Sequence, residues 1–234
     1  MIPLLGVPVL NREDLAARMI RSVDYPVEEL LVIVNDPTNF NIVVATTEAK
    51  ESNANIDRLR FSIPSFNLGC GGSWNNIIRH RPAGPWWLIV NADIVFGAGD
   101  LQRLAERMDG DSRPAFATVF EFGAFALNTA CVDSVGWFDE NLHPMYFEDN
   151  DYQRRMFLAG IEYEQLPSTT THDTSSTIRS DAALAARNDV TFKANAAYYL
   201  EKWGGAPRQE RFGMPFGRGQ ERPVSRRRLA EQGW

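Results

Sequence analysis

Cysteine and histidine are scarce in this chain of 234 residues, which contains two of the former and three of the latter. Cys70 and Cys131 are too few for a disulfide framework, and a reducing compartment is the simplest setting for them. A site built mainly from histidine ligands is excluded, and no Cys/His spacing typical of zinc sites occurs. No Gly-x-Ser-x-Gly segment is present, which argues against a hydrolase of the nucleophile-elbow type.

Long apolar runs and an excess of positive charge are also missing. The longest apolar runs, such as Trp86–Val90, have strand length, far short of the roughly 20 residues that a membrane span needs. The first ten residues carry no basic segment, and Asn11–Asp14 ends the apolar stretch too early for a secretory signal, which predicts a cytoplasmic protein. The 24 Lys and Arg against 30 Asp and Glu give a net charge of −6, which disfavours nucleic acid as a partner.

The residues that are present have an ordinary globular balance, with 44% hydrophobic and 23% charged. Short apolar runs alternate with patterns of helical spacing, which predicts an α/β fold with a mostly parallel sheet covered by helices on both faces. The predicted strands are Ile2–Leu10, Leu30–Val34, Asn41–Ala45, Trp86–Val90 and Phe116–Phe122, and the predicted helices are Asp14–Ser22, Asp149–Leu158 and Ala182–Lys202. Beyond Gly204 the composition shifts to Gly, Pro and Arg, which predicts a basic, mobile tail over residues 206–234.

Polar residues follow the predicted strands at the edge where sheets of this kind bind ligands. Asp93, in the segment Asn91–Asp93 after a buried strand, suits a divalent cation that bridges substrate phosphates. The same segment also fits a turn in which Asn and Asp side chains bond to nearby backbone groups. His172, in a polar stretch, becomes a credible metal ligand together with Asp93, and is otherwise a loop residue.

Two further segments carry candidate chemistry. The glycines of Asn67–Asn76 permit close backbone approach to an anionic ligand before a helix over Asn75–Arg79, although a plain glycine-rich turn fits equally well. The acidic cluster of Glu148, Asp149 and Asp151 opens a predicted helix, where carboxylates cap the first turn. A carboxylate crowded by others and partly desolvated is also a candidate general base.

Taken in order, these segments resemble the GT-A glycosyltransferases, specifically the large family 2 of inverting, metal-dependent enzymes that use nucleotide-sugars. The resemblance covers residues 2–205, through the segments Val7–Arg12, Val32–Asp36, Asn67–Asn75, Ile89–Ile94, Gly136–Glu140, Phe147–Arg155 and Tyr198–Gly205. The sequence departs from the family at Asn91, which stands where the metal-binding DxD motif has its first Asp. Only Asp93 can therefore be a charged metal ligand from that motif.

The resemblance implies a single Rossmann-like GT-A domain over residues 1–205, in which helices flank a mixed, mostly parallel sheet. It divides this domain into a donor half (1–95) and an acceptor half (96–205). It implies a UDP-, dTDP- or GDP-sugar donor and transfer of a hexosyl or deoxyhexosyl group to a glycan, a lipid-linked intermediate or a protein. The donor-binding residues that it implies are Pro8, Leu10, Asn11, Arg12, Asn35, Asp36, Asn67, Gly69, Asn75, Asn91 and Ala92. Which of Asn35 and Asp36 recognises the base stays open.

The resemblance also implies the catalytic roles. Asp93 and His172 are expected to hold Mn²⁺ or Mg²⁺ against the diphosphate, and Asp149 is expected to be the general base. Glu148 and Asp151 are expected to orient that base or to bind acceptor hydroxyls. Trp137 is expected to stack against an acceptor sugar or to pack in the core.

Two other functions compete with this interpretation. A nucleotidyltransferase would need a basic, glycine-rich loop after the first strand, where Asn11–Asp14 is neither glycine-rich nor strongly basic. A non-catalytic nucleotide- or glycan-binding module would have no need of the acidic cluster at residues 148–151.

Overall fold

The computed structural model describes residues 1–172, 182–219 and 222–223. The strands are β1 (Leu5–Val9), β2 (Val27–Val34), β3 (Ile56–Ser62), β4 (Trp86–Val90), β5 (Ile94–Val95), β6 (Phe116–Phe120), β7 (Ala124–Asn128), β8 (Glu164–Gln165) and β9 (Thr171–His172). The helices are α1 (Glu13–Arg21), α2 (Asn41–Glu51), α3 (Gly69–His80), α4 (Asp100–Asp109), α5 (Thr129–Val135), α6 (Glu148–Leu158) and α7 (Ala182–Trp203), followed by a 3₁₀ turn at Pro215–Gly217. In this part of the chain, no helix is long and apolar enough to cross a bilayer.

Seven strands form one sheet in the order β3-β2-β1-β4-β7-β6-β8. Strands β1 to β4 run parallel, β7 is antiparallel to both β4 and β6, and β8 is parallel to β6. Helices α1, α2 and α4 cover one face of the sheet, and α3, α5 and α6 cover the other, so each face has its own apolar core. The predicted mixed, mostly parallel α/β sheet is confirmed.

Strand β3 forms one edge of this sheet. Its outward residues Asp57, Arg58 and Arg60 are exposed. Arg58 pairs with Glu28 of the neighbouring strand at 2.8 Å.

The strand predicted over Asn41–Ala45 is wrong, because these residues open helix α2. The β-branched run drew attention to Val43 and Val44, but the buried positions are Ile42, Thr46 and Ala49, which recur at helical spacing. The Thr46 hydroxyl donates to the carbonyl of Ile42 at 2.6 Å, which accommodates this residue within the helix. The third parallel strand is β3 instead, with a mixed polar pattern that does not form an apolar run.

The glycine-rich segment is also placed differently from the prediction, since α3 begins at Gly69 rather than near Asn75. Gly69 has a φ of 69°, and a Cβ there would lie 2.5 Å from the carbonyl oxygen of Pro144. Glycine at this position therefore permits both the left-handed backbone and the close approach of residues 143–144 to the helix start. The Cys70 amide donates to that same Pro144 oxygen at 2.7 Å.

Helix α7 confirms the predicted helix over Ala182–Lys202 and fastens the second half of the chain. Lys202 is fully buried and its ammonium lies 2.8 Å from both Asp139 and Asp151. Residues beyond this helix pack back on it and on α6, since the Tyr199 hydroxyl donates to Glu210 and the Arg154 guanidinium donates to the carbonyl of Phe212. The boundary at residue 205 stays a prediction, and most of the tail beyond residue 219 lies outside the described residues.

Candidate active site

A cavity of about 460 Å³ opens at the sheet edge where β1, β2 and β4 end. Because the carboxyl ends of parallel strands meet at one edge, residues far apart in sequence converge there. Most of the residues singled out from the sequence line it, namely Pro8, Leu10, Asn11, Arg12, Asn35, Asn67, Gly69, Asn91, Ala92, Asp93, Glu148, Asp149 and His172.

Asp93 and His172 meet on one wall of this cavity. Asp93 follows β4, and His172 pairs with Ile94 across the short two-stranded sheet formed by β5 and β9. The imidazole Nε2 of His172 lies 2.9 Å from a carboxylate oxygen of Asp93, and both side chains are largely buried. Two residues almost 80 positions apart are therefore neighbours, as their predicted joint role requires.

Asp100, at the start of α4, fixes the approach of β9 to this wall. One of its oxygens accepts hydrogen bonds from the Ser168 hydroxyl, the Thr169 amide, and both the amide and the hydroxyl of Thr170, at 2.7–2.9 Å. Burial opposes ionisation of this carboxyl, but these donors and Arg103 outweigh it and lower the pKa of Asp100 to about 2. The loop that leads into His172 is thus tied to a carboxylate that stays charged.

Glu148 and Asp149 enter the cavity from the first turn of α6. The two residues before this helix, Tyr146 and Phe147, have φ values of 75° and 73°, in the left-handed region that bulky residues rarely occupy. Asn195 of α7 holds this turn by donating to the Met145 carbonyl at 2.9 Å. The strained turn aims the acidic residues into the cavity.

The two carboxyl groups differ in their surroundings. Glu148 is only 5% exposed, and burial together with the neighbouring charge of Asp149 raises its pKa well above the usual range. Asp149 is less buried by surface area, and burial raises its pKa, with a smaller contribution from the charge of Glu121. Its Oδ1 atom accepts from the Asn150 amide, which works in the opposite direction.

The cavity is acidic overall. Asp93, Glu121, Glu148 and Asp149 line it, whereas Arg12 is its arginine among the described lining residues. The Arg12 guanidinium already pairs with Asp14 at 2.8 Å. An anionic diphosphate entering this cavity needs additional positive charge beside it.

The side of the cavity at the end of β2 is held by buried asparagines. Asn35, at the end of β2, donates to the Ser73 hydroxyl and accepts from the Leu68 amide, which joins this strand end to α3. Asn67 accepts from the Gly69 amide at 2.8 Å through its side chain. Asp36 lies outside the cavity lining and forms a turn with Thr38, so of the two base-recognition candidates only Asn35 lies at the cavity.

Besides Asp36, three of the residues expected at the site lie outside the cavity lining. Asn75 is fully buried and holds the backbone of Phe138 through its side-chain amide. Trp137 is 43% exposed, outside the cavity lining, with the Arg79 guanidinium 4.6 Å from its ring. Asp151 is fully buried among Arg155, Lys202 and Trp203, which occupy both of its oxygens, so it has no free atom for an acceptor hydroxyl.

Comparison with known proteins gives relatives in both sequence and structure. No protein-family model matches the chain. A galactofuranosyl glycosyltransferase from Leishmania donovani is 38% identical over 78 residues, which are 33% of this chain and 17% of that protein. The chain therefore aligns with about a sixth of the length of this curated relative.

The structural matches extend over nearly the whole chain. The mannosyltransferase PcManGT from Pyrobaculum calidifontis, determined in complex with GDP-Man and Mn²⁺, matches with a TM-score of 0.62 at 16% identity, covering 89% of this chain and 67% of that one. The S. aureus TarS 1-349 structure matches with a TM-score of 0.56 at 16% identity, covering 86% of this chain and 71% of that one. The chain has the GT-A fold. The fold that the motifs led us to expect is thereby confirmed.

The residues of the cavity fit a divalent cation that would take some of its ligands from the protein and the others from a bound substrate. In the described residues, no group of three or more His, Cys, Asp and Glu side chains forms a complete metal site. Asp93 and His172 supply one carboxylate oxygen and one imidazole nitrogen in the same place. Mg²⁺ and related cations are often held by one or two protein groups together with phosphate oxygens, so this pair fits such an ion.

Several lining residues of the GT-A cavity escaped the sequence analysis. They are Leu15, Cys70, Trp74, Phe120, Glu121, Phe122, Gly123, Pro144, Met145 and Tyr146. Residues 120–123 reach the cavity because β7 starts beside the end of β4, where Val90 pairs with Ala124. Antiparallel entry of β7 into a parallel sheet has no signal in the sequence pattern, so these positions could not be found from it. Cys70 and Trp74 lay within a segment already singled out, and their place on a helix is what reveals them.

Proposed function

We propose that this chain is a metal-dependent, inverting glycosyltransferase that moves a sugar from a nucleoside-diphosphate-sugar to an acceptor hydroxyl. The observation that carries the proposal is the convergence of Asp93, His172 and Asp149 in one cavity at the strand ends of a GT-A fold. One wall of this cavity carries two possible ligands for a cation, Asp93 and His172, and another wall carries Asp149 as a possible proton acceptor. A pure binding module has no use for both.

The donor is bound on the side formed by the ends of β1 and β2. Leu10, Asn11 and Arg12 follow β1 there, and Asn35 closes the end of β2. Asp93 and His172 would hold Mn²⁺ or Mg²⁺, which when bound supplies positive charge against the diphosphate leaving group. The acidity of the cavity supports this requirement, because the lining carboxylates alone would repel the donor.

Asp149 acts as the general base in the transfer. The acceptor oxygen attacks the anomeric carbon while its proton passes to the Asp149 carboxylate, and the bond from that carbon to the diphosphate oxygen breaks with its electron pair. One displacement from the face opposite the leaving group inverts the anomeric configuration. A partly buried carboxylate with a raised pKa is well matched to this task near neutral pH.

The comparisons guide the choice of donors and acceptors to test. GDP-mannose is bound by the structural relative, and the sequence relative is described as a galactofuranosyl transferase. A first panel therefore contains GDP-mannose, UDP-galactofuranose and dTDP-sugars. Glycans come first as acceptors, ahead of lipid-linked intermediates and proteins, and the net charge of −6 disfavours nucleic acid.

The test is calorimetric binding of the matching nucleoside diphosphate with and without Mn²⁺, followed by a transfer assay with NMR of the product. We expect binding to require the cation, and we expect Asp93→Asn to remove that requirement together with most of the affinity. Asp133→Asn, an exposed aspartate on α5, is the matched control and should behave as the wild type.

Two outcomes would contradict the proposal. Equal affinity of the best nucleoside diphosphate with and without cation would contradict metal dependence. A product with retained anomeric configuration would contradict the single displacement.

A further inference from the structure

Two buried polar atoms in the cavity have no hydrogen-bond partner. They are the indole nitrogen Nε1 of Trp74 and the carboxyl oxygen Oε2 of Glu148. Their side chains are 2% and 5% exposed, respectively, and both residues line the cavity. A buried donor or acceptor without a partner destabilises the folded state, so two such atoms at one cavity indicate that a ligand satisfies them.

The other buried tryptophans among the described residues have a partner for the indole N–H. Trp86 donates its indole N–H to Asp109, Trp87 to the carbonyl of Arg81, and Trp203 to Asp151, at 2.7–3.0 Å. The fold thus satisfies the indole N–H where the ring serves only packing. Trp74 differs from these three because it lies at the cavity.

Neither atom can easily find a partner by moving. The Trp74 ring is packed against Phe122, Phe125 and Phe138, with centroid separations of 4.9–6.2 Å. Glu148 is fixed by the first turn of α6, and the Cys70 thiol hydrogen-bonds to its carboxyl group. The packing therefore holds both polar atoms in place before any ligand arrives.

Trp74 and Glu148 lie on the neighbouring helices α3 and α6. Cys70 and Trp74 are one turn apart on α3 and so lie on one face of that helix. Gly71 of the same helix would bring a Cβ to 3.8 Å from the Cβ of Glu148, so α3 and α6 are in close contact here. Trp74 and Glu148 therefore line the cavity from two helices that are in contact.

We propose that Trp74 Nε1 and Glu148 Oε2 form a subsite for a hydroxyl group of a sugar ring. A hydroxyl both accepts and donates, so it can take the indole N–H and give its own proton to the carboxyl oxygen. The rings of Phe120 and Phe122 also line the cavity and suit the apolar face of a sugar. The subsite rests on the proposed glycosyltransferase function and makes it specific, because the hydroxyl belongs either to the transferred sugar or to a saccharide acceptor.

The experiment compares Trp74→Phe with Trp87→Phe. Both variants keep an aromatic ring in the same apolar core and remove one indole N–H, but only the first changes the cavity. The affinities of the nucleotide-sugar and of its nucleoside diphosphate are measured by calorimetry, and the KM of the acceptor is measured in the transfer assay. Deoxy analogues of the sugar then identify the hydroxyl concerned.

We expect Trp74→Phe to leave the nucleoside diphosphate affinity unchanged and to cause a fivefold to tenfold loss, roughly one hydrogen bond, in one other quantity. If the hydroxyl belongs to the donor, the nucleotide-sugar affinity falls, and if it belongs to the acceptor, the acceptor KM rises. The loss disappears with the analogue that lacks this hydroxyl. Trp87→Phe should change neither quantity.

The results that overturn the proposal are distinct. If the wild type binds the nucleotide-sugar and Trp74→Phe changes neither quantity by more than about twofold, the subsite is refuted while the glycosyltransferase function stands. If the wild type binds none of the nucleotide-sugars, both proposals are refuted together. Should Trp74→Phe fail to fold, Glu148→Gln keeps the side-chain size and must produce the same selective loss.

Discussion

Glu148 and Asp149 are adjacent on one helix turn, yet the fold gives their carboxyl groups different environments. Burial and the charge of Asp149 push the pKa of Glu148 well upward, whereas Asp149 is more accessible and also accepts a backbone hydrogen bond. Enzymes commonly assign the roles of proton donor and proton acceptor by such differences in environment. The more strongly raised pKa of Glu148 makes it the weaker acid of the two, and the more accessible Asp149 is the member of the pair proposed to accept a proton.

The first prediction concerns Asp149→Asn. Since the amide has nearly the same size but cannot accept the proton, transfer should fall by about 10²-fold or more while donor affinity stays unchanged. Steady-state transfer and calorimetry on the same preparation measure both quantities. The exposed Asp133→Asn serves as the control, and near-normal turnover by Asp149→Asn on its true acceptor would mean that another group is the base.

The second prediction concerns the ionisation of Glu148 in the free protein. Because its pKa is higher in the folded than in the unfolded state, the acid form stabilises the fold below the unfolded pKa, and this contribution is lost as the pH rises toward the folded pKa. Glu148→Gln should therefore gain free energy of unfolding relative to the wild type as the pH rises from 4 to 8. Urea denaturation at both pH values measures this, and a pH-independent difference would contradict it.

At the scale of elements, strand β9 depends on Asp100 for its position. The Asp100 carboxylate is the shared acceptor for the three residues Ser168–Thr170, and His172 follows two positions later. Its low pKa implies that this contribution to stability is present above the unfolded pKa near 4 and is lost as the pH falls toward about 2. The wall of the cavity that carries Asp93 and His172 is thus linked to the start of α4.

The third prediction is that Asp100→Asn weakens Mn²⁺ binding by about tenfold in the presence of nucleoside diphosphate. The amide of the variant lacks the negative charge that holds the loop 168–170, so His172 is no longer kept against Asp93. A tenfold loss of Mn²⁺ affinity corresponds to roughly 1.4 kcal/mol of binding free energy. Electron paramagnetic resonance titration of Mn²⁺ reports this without any turnover. Gln102→Ala, on the exposed side of the same helix, is the control and should leave Mn²⁺ binding unchanged. If Asp100→Asn binds Mn²⁺ as the wild type does, the loop at residues 168–170 does not control the position of His172.

The fourth prediction concerns Lys202 of helix α7. Lys202→Met leaves Asp139 and Asp151 without the ammonium that now contacts both, and removal of one partner from a buried ion pair costs about 3–5 kcal/mol. The free energy of unfolding from chemical denaturation should fall by that amount. Lys193→Met, earlier on the same helix, is the comparison, and equal small losses in both variants would show that the buried network contributes little.

The elements also show what a single sequence can and cannot reveal. The ends of β1, β2 and β4 were predictable, because buried apolar runs followed by Asn and Asp are unambiguous. Helix α2 was misread since Val43 and Val44 carry a strong β-branched signal, whereas the buried Ile42, Thr46 and Ala49 follow a helical period. Asp149 and Asp151 are the same residue type in the same helix turn. Only the packing of Lys202 and Trp203 of α7 against α6 shows that Asp151 is a structural carboxylate, whereas Asp149 reaches the cavity.

At the scale of the whole molecule, residues 1–95 and the residues that follow them contribute strands to one sheet. The junction is the pairing of β4 with β7, through which Trp86–Val90 contacts the strand that begins the antiparallel part. The wall of the cavity with Asp93 and His172 also draws on both parts of the chain. Asp93 belongs to residues 1–95, and His172 belongs to the part that follows. The motifs therefore indicated most of the residues of the site, but not which of them are neighbours. Those contacts depend on the order of the strands in the sheet.

The fifth prediction follows from that shared sheet. Residues 1–205 should unfold in one cooperative transition, with equal calorimetric and van't Hoff enthalpies, because neither half keeps its core when the β4–β7 pairing is lost. A fragment of residues 1–95 should remain unfolded in circular dichroism. Two resolved transitions, or a folded fragment, would instead divide the chain into independent units.

The exposed edge of the sheet at β3 has a consequence for how the protein behaves at high concentration. A strand with unpaired backbone groups can recruit a strand from another molecule, which is a common start of aggregation. Two copies joined in register through this edge would bring Arg58 and Arg60 of one strand beside those of the other, at a strand spacing of about 4.8 Å. Like charges at that distance oppose the pairing. Arg60, together with the part of the Arg58 charge that its pair with Glu28 leaves uncompensated, therefore disfavours edge-to-edge assembly.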